Sequence, residues 1–94
     1  MSRYMRVHWH HGFDEEPVCL YSEVEAGREV RKVEVYRDEH MDFADERIST
    51  GTTLLSETLM PTVDEIFEEG HFTPELITRE EFENIWEAAK QDTR

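Results

Sequence analysis

The chain has 94 residues, 37% hydrophobic and 35% charged, and carries a formal net charge of −13; a length like this supports one domain, 1–94, around one modest core. Residues 1–37 hold six Lys/Arg against seven Asp/Glu and residues 38–94 hold four against sixteen, so the two halves carry −1 and −12. This balance argues against direct nucleic-acid binding, which draws on clustered Lys/Arg, and it favours a basic protein partner.

The N-terminus shows no apolar signal-type core. Instead, residues 3–11 alternate, with Met5, Val7 and Trp9 on one parity and Arg6, His8 and His10 on the other. Period two is the pattern of a strand with one buried and one wet face. Gly12 and the acidic run Asp14-Glu15-Glu16 before Pro17 read as a loop, with Phe13 expected to fold back onto the domain. A second strand covers 18–25, with Val18, Leu20 and Val24 on one side and Cys19 and Tyr21 on the other. Cys19 is the only cysteine; it permits no intramolecular disulfide and fits a reducing cytosol.

Ala26-Gly27 then turns the chain tightly into an antiparallel neighbour. That third strand, Val30 to Arg37, is the most regular stretch: Val33 and Val35 point to the core, Arg31 and Arg37 share their parity toward the solvent edges, and Lys32, Glu34 and Tyr36 point the other way. Asp38-Glu39-His40 reads as a turn in which Glu39 and His40 stand where tight hairpins favour Gly, so either a three-residue loop or an asparagine-like compromise in backbone geometry is expected. Met41 to Ala44 is a short fourth strand. Residues 45–58, rich in Ser, Thr and Gly, read as an irregular cover of one sheet edge or a fifth short strand.

From Pro61 the period becomes helical. Thr62-Val63-Asp64-Glu65 and Thr78-Arg79-Glu80-Glu81 both match the capping box. They predict helices at about 63–69, closed by Gly70, and at about 79–90. His71 to Pro74 reads as a linker between them. In the second helix Phe82, Ile85, Trp86 and Ala89 form a buried stripe and leave Glu80, Glu83, Glu87 and Lys90 wet. The expected fold is α+β: a four- or five-stranded antiparallel meander with two C-terminal helices packed on one face. No window approaches the roughly 18 apolar residues of a membrane span.

Two kinds of site follow from these placements. The wet face of the last helix, with Glu80, Glu83 and Glu87, together with the Glu68-Glu69 end of the first and Asp42, Asp45 and Glu46, would form an acidic recognition surface that steers a basic protein toward it; the alternative is acidity that serves solubility alone. His8 and His10, two apart on a strand, project to one face and could present two imidazoles to a metal ion; no third ligand is marked by spacing, and the alternative is a wet sheet face. Cys19 lacks the basic neighbours that would activate a thiol. A cleft around Trp9, Tyr21 and Trp86 would be a place for a small molecule. No cofactor motif is present, since Gly12, Gly27, Gly51 and Gly70 are too scattered for a phosphate loop. Oligomeric state is not encoded in any pattern.

Four stretches, Val7-His8-Trp9-His10-His11, Glu16-Pro17-Val18-Cys19-Leu20-Tyr21-Ser22-Glu23, Arg31 to Asp38 and Ile77 to Trp86, resemble a family of small bacterial domains of unknown function, common in actinobacteria. Its pattern is "EPV-x-LYSE", "RKVEVYRDG" and a terminal "EF-x-x-W". The resemblance implies no activity. It draws attention to Glu23, Arg31 and Lys32, polar residues inside the motifs that would form either cross-strand ion pairs or a contact surface. At Glu39 the family pattern has Gly.

Overall fold

The alternating stretches do pair into one sheet. The structure, a computed structural model, describes residues 2–92. Strands β1 (Ser2–Trp9), β2 (Cys19–Glu25), β3 (Arg28–Val35) and β4 (Met41–Ala44) are followed by helix α1 (Val63–Glu68), strand β5 (Phe72–Ile77) and helix α2 (Arg79–Gln91). The sheet order is β4-β3-β2-β1-β5, and every neighbouring pair is antiparallel.

Turn chemistry fixes the meander. Ala26 and Gly27 both have positive φ, 54° and 79°, as a two-residue turn matched to strand twist requires. The β3–β4 connection is a three-residue loop, Arg37-Asp38-Glu39, one residue earlier than the turn expected at 38–40: Tyr36 N–H donates to His40 O at 2.9 Å and Glu39 N–H donates to Tyr36 O at 2.9 Å. Glu39 takes the left-handed position at φ 74°.

Residues 71–74, read as a linker, are instead largely strand. β5 pairs with β1 from Tyr4–Ile77 to Trp9–Phe72, at the sheet edge where the missing N–H of Pro74 interrupts no second ladder. The fifth strand therefore lies here and not in 45–58, where only an isolated Ala44–Ser49 bridge forms. The sheet is thus not a pure meander, because the chain crosses from the β4 edge to the β1 edge before adding its last strand.

The same strand separates the two helices. Ile66 of α1 packs with Met5, Val7 and Val24, joined by Leu20, Met60 and Phe72. Phe82, Trp86 and Ala89 of α2 pack with Val33, joined by Tyr4, Tyr21, Val35 and Phe43. Tyr4 and Met5 are successive strand residues and point to opposite faces. The helices expected together on one face therefore cover opposite faces, and the sheet is the middle of three layers. Met5, Val33 and Phe82 are each fully buried, so both faces carry core.

Candidate functional site

β3 presents a different set of polar groups to each layer. On the α2 side, Arg31 is paired in register with Glu23 and donates from Nε to Glu23 Oε1 at 2.5 Å. Its two terminal nitrogens donate to the two Glu83 oxygens at 3.1 and 2.7 Å, a bidentate fork that only a guanidinium can make. The guanidinium carbon lies 4.8 Å from the Phe82 ring centroid and 5.1 Å from that of Trp86, close enough for cation–π attraction. Tyr4 Oη adds a hydrogen bond to Glu23 Oε2 at 3.3 Å. Hydrogen bonding to Glu83, ahead of the Glu23 contacts, holds the Arg31 pKa above its ordinary value. The same hydrogen bond, with the guanidinium charge, pulls the Glu83 carboxyl below its own.

On the α1 side, a bulge between Glu23 and Val24 shifts the β2–β3 register, so that Ser22 opposes Lys32 while Val24 opposes Glu29. Glu29 and Lys32 thereby share a face. Glu29 is buried, accepts from Ser22 Oγ at 2.6 Å and lies 3.3 Å from Lys32 Nζ. Together they anchor the irregular stretch after β4. Glu29 accepts from Ser56 N–H at 2.8 Å, Lys32 donates to Leu54 O at 2.9 Å and Glu34 accepts from the Thr53 hydroxyl. Met60 N–H donates to Gly27 O at 2.8 Å. These partners close a cleft between α1 and the sheet, lined by Val7, Leu20, Met60, Ile66 and Phe72 around Ser22, Glu29 and Lys32.

The residues singled out from sequence thus divide. Glu23, Arg31 and Glu83 meet as one internal cluster joining β2, β3 and α2, and Lys32 is occupied by Glu29 and Leu54. Glu80 and Glu87 are exposed on α2; Glu87 lies 4.0 Å from Lys90 Nζ. His8 is exposed, and His10, one residue beyond β1, shares a 2.6 Å hydrogen bond with Thr73 Oγ1. Among the described residues no three His, Cys, Asp or Glu side chains converge to hold a metal. Cys19 is buried, and burial pushes its thiol pKa up, away from the thiolate. Trp9 stacks on Phe72 and edges onto His11, whereas Tyr21 and Trp86 belong to the α2 layer, so these three aromatics line no common cleft.

Phe13 does not fold into the core. It is exposed, stacks on His11 at 5.5 Å, and its loop is held by Arg37 Nη2, which donates to His11 O and Phe13 O at 3.1 and 3.4 Å. Sequence reasoning missed Glu29, whose burial depends on the bulge, and the Arg6–Glu75 ion pair, which depends on β5. Among the described residues no helix is long and apolar enough to cross a membrane.

Residues 3–91 match the family model described as "Domain of unknown function (DUF6881)". No curated protein and no solved structure matches the chain.

Proposed function

The chain belongs to this family of domains of unknown function, which brings no activity with it, and we propose that it is a non-enzymatic cytosolic interaction domain that recognises a basic protein through its acidic surface. An immunity-type or regulatory inhibitor works in this way, with charge steering the encounter and rejecting wrong partners.

One observation carries the reading. The fold turns Arg31 inward to Glu23 and Glu83 and Lys32 to Glu29, and pairs Arg6 with Glu75, so that the exposed cations Arg3, Arg28, Arg37, Arg47, Arg79 and Lys90 are outnumbered by exposed carboxylates. Many carboxylates are left facing solvent, among them Glu80 and Glu87 on α2 and Asp64, Glu68 and Glu69 around α1. The uncompensated charge therefore sits where a partner would meet it. Exposed Phe67 and Leu59 lie within that acidic stretch, and apolar groups rimmed by charge are what a protein interface uses at its centre. Cys19, buried and unpaired, suits a reducing compartment.

The test is capture from the host followed by titration of the isolated pair across salt. Affinity is expected to fall at least tenfold between about 0.05 M and about 0.5 M salt as charge is screened, and Glu80→Lys with Glu87→Lys is expected to slow association. An affinity indifferent to both would rule the reading out.

A further inference from the structure

The cleft between α1 and the sheet has a volume of ≈ 210 Å³, the liquid volume of about seven waters. That is below the roughly 300 Å³ at which drug-sized ligand pockets begin, and it suits a body of about six carbons. Val7, Leu20, Met60, Ile66 and Phe72 supply the apolar walls, and the bulge in β3 sets Ser22, Glu29 and Lys32 together at the polar end.

Donor and acceptor capacity at that end is unequal. Ser22 gives its single hydroxyl proton to Glu29 Oε2, leaving the oxygen lone pairs as acceptors. Glu29 Oε1 already receives Ser56 N–H and faces Lys32. Among the described residues Lys32 Nζ has two acceptors, Leu54 O and Glu29 Oε1, for three protons. An occupant's head group therefore has to accept from Lys32 and donate to Ser22. A hydroxyl or a primary amide does both. A carboxylate cannot donate and would lie against Glu29; an ammonium cannot accept and would lie against Lys32.

We propose that this cleft is a binding site for a small neutral amphiphile, an apolar body of about six carbons carrying one hydroxyl or primary amide. Glu69 of the acidic stretch around α1 also lines the cleft and adds to the charge a carboxylate would meet, whereas Glu80 and Glu87 on α2 line no part of it. Four probes of equal chain length separate the chemistry: hexan-1-ol, hexanamide, hexanoate and hexylamine, each titrated into the isotope-labelled full chain and followed by amide chemical shifts. Hexan-1-ol and hexanamide are expected to perturb β1, β2 and α1 at a tenfold lower concentration than the two charged probes. Met60→Trp, on the irregular segment at the wall, is expected to abolish the response, and Leu20→Phe to weaken it while the spectrum stays folded. Glu80→Lys with Glu87→Lys is expected to leave it unchanged. Equal response to all four probes, no response to any, or full response in both filled variants overturns the proposal.

Discussion

Glu39 sits at φ 74°, a left-handed backbone that costs a residue with a Cβ about 1–2 kcal/mol. Glycine would remove that cost but adds unfolded-state freedom, so Glu39→Gly is expected to stabilise the chain by about 0.5–1 kcal/mol, read as a rise in the denaturation midpoint. An unchanged or lower midpoint would show that the Glu39 backbone is not under strain. Arg31 is the opposite case, a residue whose partners come from three elements. Arg31→Met keeps most of the stem but strands Glu23 without its cation, and is expected to destabilise by about 2–3 kcal/mol. Glu83 adds a pH signature. Its folded pKa lies below the ordinary 4.5 because Arg31 donates to it, so its contribution is complete above that value and is lost as pH falls through the folded one. The gap in melting temperature between the parent and Glu83→Gln is expected to shrink below pH 4.5; a constant gap would assign the loss to packing.

Among the elements, α2 was readable from its sequence to within a residue, since its stripe and capping box are both local. The Thr78 side chain accepts from Glu81 N–H at 3.1 Å and the Glu81 side chain accepts from Thr78 N–H at 3.0 Å, so Thr78→Ala is expected to cost about 1 kcal/mol. A loss below the error of a denaturant melt would mean that packing of Phe82 and Trp86 holds the helix end without its cap. β5 was not readable. Pro74 and the polar Thr73 and Glu75 disguise it, and what makes it a strand is the free edge of β1. The stretch 52–60 is similar: it has no period of its own and takes its shape from Glu29, Lys32 and Glu34 on β3.

For the whole molecule the net charge of −13 is a destabilising field, because carboxylates on α1, α2 and the loops repel one another more in the compact state. Internal pairs such as Arg31–Glu83 are short and partly buried and feel screening less than these long-range repulsions. Melting temperature is therefore expected to rise between about 0.02 M and about 0.5 M NaCl. A fall would mean that ion pairs outweigh the repulsion. Of the candidate surface, Glu80 and Glu87 were legible as wet helix positions, whereas the inward turn of Arg31 and Lys32 was not, since strand parity alone does not say which layer covers a face.

By itself the sequence determined what period and turn chemistry can encode: four strands, two capped helices, a turn around Glu39, and the acidic half. Only the tertiary structure decided that α1 and α2 cover opposite faces, that residues 72–77 complete the sheet, and that the bulge beside Val24 brings Glu29 and Lys32 onto one face at the floor of a cleft. The physical reason is range. Caps, turns and alternation are set by neighbours within a few residues, while layers, edges and buried ion pairs join residues far apart in the chain, and no local pattern records which of them will meet.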